Sequence, residues 1–587
     1  MVIIGYFGGI DPAACLLRDG VIESYVEEER LLRYKHAPNL FPIRSIDYCL
    51  RQTGLELQDV DCIAYGWDIP RYTDGRMSAF YQRVNVKHPP DPATLSWQNR
   101  LIHSFNEENF RERLRREIVP FFGTDEVPPL RFFPHHAAHA ATAYYMSPYD
   151  DALIVNIDGS GDSQCATVWL GTGDRMELIH EVEIPDSLGW FYAAITEYLG
   201  FQAYDGEYKV MGLAAYGQPN RQFREALERV VPVADDGWSY HVRPEFIHHG
   251  PHTYSDRFTD HLVTLLGLPP RQGRTPLEPI YEALAFEAQR LLEDRVLRLV
   301  RHFQMTTGRK RLCLAGGVAL NVKMNSRLRQ SGLFDDIFVF PVPSDSGTAI
   351  GAALGVYHEL TGKRPQPLEH VYLGPAFTDE DIELQLESCG LVYRVCDDIA
   401  DVTAELLSQG KVVGWFQGRM EAGPRALGAR SILADPRSVE SRDRVNAAIK
   451  FREYWRPFCP SLLEDAAPRF MRDARPAPFM IMAFEATEHA SDACPAVVHV
   501  DGTMRVQTVN GQAQPRFYEL LKAFERRTGV PVLLNTSFNI KGEAVVCSPR
   551  DALRTFWSTG LDALAIGRCL IEKPQKPLFL EPEDTLR

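Results

Sequence analysis

One stretch constrains this chain more than any other. Residues 134–145 read Pro-His-His-Ala-Ala-His-Ala-Ala-Thr-Ala-Tyr-Tyr, and 151–163 read Asp-Ala-Leu-Ile-Val-Asn-Ile-Asp-Gly-Ser-Gly-Asp-Ser. His135 and His139 stand four apart, so on a helix they share a face. Two imidazoles on one face can fill two corners of a metal's coordination shell, or can simply be solvated. Ala152–Ile157 reads as a buried strand, and Asp158 falls at its C-terminal end, where α/β sheets place ligands. Gly159 and Gly161 are expected to make a turn whose N–H groups face an anion. The pattern is not that of a zinc peptidase, because His136 occupies the position where that motif needs a glutamate.

The chain offers partners for this stretch. Residues 2–7 form an expected strand, followed by a turn at 8–11, a strand over Ala13–Leu17, and a two-residue hairpin at Asp19-Gly20 into Val21–Val26. Such an opening suits the actin-like and sugar-kinase-like ATPase folds. Glu27-Glu28-Glu29-Arg30 then leads to Lys35 and His36, read either as a solvated helix face or as part of a site. Residues 71–130 read as a helical insertion covering a site. Ser187-Leu188-Gly189 opens an amphipathic helix, and Lys209 lies in a later glycine-containing run. Pro279–Phe303 is expected to be a long amphipathic helix. Arg311–Leu314 is a strand running into Gly316, Gly317 and Asn321, a plausible nucleotide approach. Ile337–Phe340 is a strand before Asp345-Ser-Gly347, which makes Asp345 a candidate third metal ligand, or else an N-cap.

Arg364-Pro-Gln-Pro367 reads as a linker, with a second domain starting near 370. There Val412–Trp415 precedes a loop holding Arg419, Arg425 and Arg430, and Asn446–Phe458 adds Lys450, Arg452 and Arg456 beside aromatics. With Arg505 this concentrates cations that suit phosphate and carboxylate. Val530–Leu534 is a strand running into Asn535-Thr536-Ser537. Nothing in the sequence repeats. The formal net charge of −15 argues against nucleic acid as a partner, although a local basic pocket is compatible with it. Eleven singly scattered cysteines, with no apolar run of transmembrane length and no signal peptide, fit a cytoplasmic protein that needs no membrane.

The motifs taken in order resemble the NodU/CmcH O-carbamoyltransferases. They are the N-terminal hairpin with Glu-Glu-Glu-Arg and Lys-His, His-His-Ala-Ala-His-Ala-Ala, Asp-Gly-Ser-Gly-Asp, Ser-Leu-Gly, Glu-Tyr-Lys-Val-Met-Gly-Leu and Gly-Gly-Val-Ala-Leu-Asn. The later ones are Gly-Pro-Arg-Ala-Leu-Gly-Ala-Arg-Ser, Ile-Lys-Phe-Arg-Glu-Tyr-Trp-Arg-Pro-Phe and Leu-Asn-Thr-Ser-Phe-Asn. The resemblance implies an α/β and α+β protein of two domains: a duplicated actin/sugar-kinase-like domain over 1–369 and a YrdC-like domain over 370–587. It implies ATP, with Mg2+, and carbamoyl phosphate as co-substrates. Carbamoyl adenylate would form in the second domain and be used in the first, with iron(II) or another divalent metal, to carbamoylate a small-molecule natural product. By the same resemblance His135, His139, Asp158 and Asp345 would hold the metal. Asp158, Ser187, Gly189, Lys209, Gly316, Gly317 and Asn321 would meet the adenylate. Arg425, Lys450, Arg456, Arg505, Asn535 and Ser537 would grip carbamoyl phosphate and nucleotide, with Lys450 and Arg505 also catalytic. The family carries a histidine base in its N-terminal hairpin, but Ile10 stands there. The base is then Asp11 or His36, or the acceptor is an amine that needs less help, or the chain binds nucleotide with an altered transfer step. A homodimer stays open.

Overall fold

The computed structural model describes residues 1–248, 256–273 and 275–573. Its first half is built on two sheets of the same plan. Strands β1 (Val2–Phe7), β2 (Ala13–Arg18), β3 (Val21–Glu27), β4 (Cys62–Tyr65) and β5 (Leu130–Phe132) line up as β3-β2-β1-β4-β5. The first three are antiparallel, and β4 and β5 continue parallel to β1. Asp19 and Gly20 both take positive φ, the two-residue turn that matches strand twist. Strands β6 (Asp151–Gly161), β7 (Gln164–Thr172), β8 (Arg175–Glu183), β9 (Arg311–Ala315) and β10 (Asp336–Val339) form the second sheet in the order β8-β7-β6-β9-β10, with the same directions. This is the duplicated arrangement expected of an actin/sugar-kinase-like half. The repeat lies in topology and apolar patterning, so residue identities do not betray it.

Two helices, His135–Tyr145 and Thr348–Thr361, pack against each other between the sheets. The first is rich in Ala and the second in Ala and Gly, and the closeness depends on it. A Cβ on Gly351 would stand 2.0 Å from the Ala138 carbonyl oxygen, and one on Gly5 would stand 1.9 Å from that of Ala349. The N-terminus of one helix, at His135, therefore meets the approach to the other, at Asp345.

Between β4 and β5 the chain forms helices Pro70–Thr73, Arg76–Lys87, Pro92–Ser104 and Glu107–Phe122. Their aromatic residues reach the first sheet through Trp67, whose ring stacks on Phe105 at 6.3 Å and meets His135 edge-on at 4.8 Å.

The second half supplies an eight-stranded mixed sheet. Its strands are β11 (Arg394–Val395), β12 (Val413–Phe416), β13 (Arg430–Ala434), β14 (Cys459–Leu463), β17 (Gln507–Val509), β18 (Val532–Ser537), β19 (Ala563–Ile566) and β20 (Cys569–Glu572), and β15 (Ala483–Glu485) and β16 (Thr503–Arg505) pair separately. The order β11-β20-β19-β12-β13-β18-β14-β17 is mostly antiparallel, an α+β plan unlike the first half.

Three features differ from the sequence reading. The Asp158–Gly161 segment is strand, not turn: β6 bulges there and runs on to Gly161, and the chain reverses at Asp162-Ser163. The acidic run is not a solvated face. Glu28, Glu29 and Arg30 are buried, and Arg30 lies 3.5 Å from Glu27 and 3.3 Å from Glu29. Arg364 is no loose linker residue, since it donates to the carbonyls of Gly173 and Tyr149, both at 2.7 Å, and covers the Tyr144 ring.

The halves interlock. Arg30 donates to the Gly423 carbonyl at 3.0 Å, and the Gly423 N–H returns to Glu27 at 2.8 Å. Arg33 donates to the carbonyls of Ala544 and Val545. The Ser326 hydroxyl donates to the Ala483 carbonyl at 2.7 Å and accepts its N–H at 2.8 Å. Among the described residues no helix is long and apolar enough to cross a membrane, and all eleven cysteines are unpaired.

Candidate functional site

The first cluster forms where the two central helices and β6 converge. His135 and His139 lie one turn apart on the first helix, Asp158 comes from the bulged end of β6, and Asp345 precedes the second helix. The Nε2 atoms of the histidines are 3.1 Å apart, and Asp158 Oδ2 lies 3.4 Å from His135 and 3.3 Å from His139. Asp345 Oδ1 lies 3.6 and 3.7 Å from the same nitrogens. Four ligands about 2.1 Å from a shared centre stand about 3.4 Å apart in a tetrahedron. The donor set fits a divalent cation in both chemistry and spacing.

Supporting contacts orient these donors. His135 Nδ1 lies 3.2 Å from the Gly66 carbonyl, which takes its N–H and leaves Nε2 free for the cluster. Asp162, 5% exposed, accepts the backbone N–H groups of His135 and Asp68, and burial pushes its pKa up to about 6. Burial works against the His139 imidazolium, yet Asp158 and Asp345 hold its pKa at about 9. Burial would raise Asp158 too, but both histidines hold it well below the usual carboxylate range. Burial and the charge of Asp158 raise Asp345. Asp345 caps no helix with its side chain.

The small-residue motifs are brought to Asp158. The Gly317 N–H donates to Asp158 Oδ1 at 3.1 Å. A Cβ on Gly189 would stand 2.6 Å from the Asp158 carbonyl oxygen, and one on Gly316, whose φ is positive, would stand 2.3 Å from that of Ile157. Ser187 donates to the Gly159 carbonyl at 2.6 Å and caps its own helix by accepting the Trp190 N–H at 3.0 Å. Asn321 exchanges two 2.9 Å hydrogen bonds with Gln289 and caps the next helix, so its amide is already engaged.

The second cluster gathers at the face of the mixed sheet. Burial and the neighbouring Arg505 push the Arg425 guanidinium down to about 9, and burial and Arg456 push Arg452 down to about 9. Burial, Arg452 and Arg456 likewise hold Lys450 well below its ordinary value. Arg505 Nε donates to Cys459 Sγ at 3.0 Å, and Arg456 covers the Tyr208 ring at 4.9 Å. Crowded, mutually destabilised cations mark a place where an anion is welcome. Lys450 is held differently: its amine is ringed by Ser537 O and Oγ and Asn539 O and Oδ1 at 2.7–3.2 Å, which ties it to the end of β18. Asn535 is buried beneath the cluster and donates to Ser461 at 2.9 Å.

Of the three loop arginines only Arg425 faces this cluster. Arg430 spends its donors on the carbonyls of Gln417, Gly418, Ala429 and Pro375, with its guanidinium 3.7 Å from the Phe416 ring centre. Arg419 donates to Gly374, Leu373 and Glu23 carbonyls.

A third group lies beside the cation cluster. Asp11 Oδ1 and His36 Nδ1 are 2.7 Å apart, and both residues sit at positive φ, held by the Asp11 N–H bond to the His36 carbonyl at 3.2 Å. Asp205 Oδ1 is 3.6 Å from His36 Nε2, bonds Lys35, and accepts the Tyr208 hydroxyl at 2.9 Å, while its Oδ2 is 3.3 Å from Lys209. Burial opposes the imidazolium, but Asp11 and Asp205 raise the His36 pKa to about 10. Tyr208 therefore touches both the arginine cluster and the Asp205–His36–Asp11 chain. Sequence reasoning counted Arg452 among the cations without giving it a role of its own, and left Asp205 unassigned. Arg452 was legible two residues from Lys450, and Asp205 only from its spacing of four to Lys209.

Family models of the carbamoyltransferase N-terminus and C-terminus match residues 4–354 and 404–573. The chain belongs to the carbamoyltransferase family. The carbamoyltransferase is 41% identical over 572 residues to nodulation protein NolNO of Sinorhizobium fredii, covering 96% of this chain and 79% of that protein. It is 42% identical over 448 residues to nodulation protein NolO of Bradyrhizobium diazoefficiens, covering 75% and 78%. A nodulation protein U of S. fredii is 30% identical, covering 91% and 92%. Both clusters fall inside the matched segments.

Proposed function

We propose that this carbamoyltransferase makes carbamoyl adenylate from carbamoyl phosphate, ATP and one water, the water releasing phosphate to leave carbamate and the carbamate oxygen displacing pyrophosphate from the α-phosphorus, and passes the carbamoyl group to a hydroxyl or amine of a small-molecule natural product. The observation that carries the reading is the crowding of guanidiniums: Arg425 and Arg452, each pushed down to about 9, stand beside Arg505 and Arg456, and Glu453 lies 3.7 Å from Arg456. Carbamoyl phosphate and ATP repel each other, and fixed cations remove that barrier without reorganising. Lys450 positions the Ser537–Asn539 turn at the rim. An acyl adenylate is sensitive to water, and the interlocked halves suit a sheltered path past Tyr208 to the first half.

There Ser187, Gly189, Gly316 and Gly317 would let the nucleotide approach Asp158. His135, His139, Asp158 and Asp345 would hold a divalent metal, iron(II) by the family resemblance, which when bound polarises the carbamoyl carbonyl as a Lewis acid. Asp11 would take the acceptor's proton, because His36, between two carboxylates, is already protonated at neutral pH. This pair would do the work that Ile10 cannot. The unpaired thiols support a reducing, cytoplasmic setting.

Separating the two steps tests the reading. Pyrophosphate should appear only when ATP and carbamoyl phosphate are both present. Arg505→Ala should lose it, whereas His139→Ala should keep it and lose carbamoylation of the acceptor. Pyrophosphate that ignores carbamoyl phosphate would refute the scheme.

A further inference from the structure

Cys459 opens β14 inside the cation cluster, and nothing in the scheme above uses it. It is 3% exposed, and Arg505 donates to its sulfur at 3.0 Å. The β14–β18 register sets Cys459 directly opposite Asn535. Facing residues of an antiparallel pair project to the same side of the sheet. Asn535 is 1% exposed, donates to the carbonyl of Ala426, next to Arg425, at 3.3 Å, and leaves its Oδ1 without a hydrogen-bond partner. A buried carbonyl oxygen without a donor is costly and calls for an N–H. Among surrounding cations it is a neutral acceptor. A carbamoyl group has what the place lacks: an amide NH2 for Asn535, joined to a phosphate for the guanidiniums.

We propose that Cys459 is a self-carbamoylation site, charged by carbamoyl phosphate bound in this cluster; the inference rests on the reading that carbamoyl phosphate binds here. The Cys459 sulfur attacks the carbamoyl carbon as its proton passes to the phosphate, the C–O bond to phosphate breaks, and the proton leaves on the released phosphate. The products are a Cys459 S-carbamoyl thioester and inorganic phosphate, with no oxidant or further co-reactant. Arg505, which donates to the sulfur, compensates the charge that develops on it as the proton leaves, and the other guanidiniums compensate the departing phosphate. The modification would be favoured when ATP is absent and the bound carbamoyl group has no adenylate to form.

The test uses the full chain and carbon-13 carbamoyl phosphate without ATP, followed by mass spectrometry of cysteine peptides. One labelled carbamoyl group is expected on the Cys459 peptide, with excess inorganic phosphate suppressing it. Asn535→Leu should lower the labelling rate about tenfold, the worth of one hydrogen bond, and circular dichroism checks that this variant is folded. Cyanate released by decay of the reagent would instead mark the exposed Cys389 first. Label on Cys389 equal to or ahead of Cys459, or an unlabelled Cys459 in a preparation that still makes pyrophosphate, overturns the proposal. A preparation that makes neither label nor pyrophosphate defeats the underlying function as well.

Discussion

Gly161→Ala is the sharpest probe of the His/Asp cluster, because it changes no ligand. Gly161 lies in β6 with no positive φ, so alanine meets no backbone penalty. Its Cβ, however, would stand 1.9 Å from His135 Cδ2 and 2.7 Å from Nε2. Carbon atoms prefer about 3.5 Å, so the ring must retreat by about 1.5 Å. Ligand distances in a working site hold within about 0.2 Å, so His135 is lost as a donor. Disturbing even an outer partner costs about 10–100-fold in metal affinity; loss of a ligand should cost at least about 100-fold, or about 2.7 kcal/mol. The overpacking itself should cost about 1–3 kcal/mol of stability, leaving the chain folded. Titration with cobalt(II), read by its visible absorption, measures affinity directly, and thermal melting reports the fold. A folded Gly161→Ala protein that binds cobalt(II) as tightly as the parent would refute the assignment of His135 as a ligand.

Other outcomes follow from the same geometry. His36 is raised from 6.5 to about 10, so its contribution is full below about pH 6.5 and is lost as pH rises through about 10. The melting temperature should therefore fall between pH 7 and 10, and His36→Gln should flatten that slope. Asp11→Asn should leave carbamoyl-phosphate-dependent pyrophosphate release intact and slow transfer to a hydroxyl acceptor about 10²–10⁴-fold, measured with saturating acceptor. Arg30→Ala leaves Glu27 and Glu29 buried without their cation and should cost about 3–5 kcal/mol in urea unfolding.

Local chemistry made parts of this molecule readable. Asp19-Gly20 announced its hairpin because few residue pairs accept two positive φ angles, and His135 and His139 announced a shared face because helical spacing fixes it. Asp345 was readable because strand ends in α/β sheets collect ligands. Other roles depended on what folds around a residue. Arg419, Arg425 and Arg430 look alike in the sequence, yet two of them are tied to backbone carbonyl oxygens and only Arg425 confronts other cations. Gly159 and Gly161 looked like a turn, but their missing side chains instead admit Trp190 and His135. The second sheet copies the first without sharing its residues, since a sheet needs only apolar alternation and room.

The close packing of the two small-residue helices has an electrical consequence. Both direct their amino ends at the His/Asp cluster, and each such end carries roughly half a positive charge. Two carboxylates would neutralise a divalent ion bound between them, but the converging dipoles would restore a positive potential there. An ion in that position would draw electron density more strongly than its ligands alone suggest, and phosphate-bearing molecules would be pulled towards it.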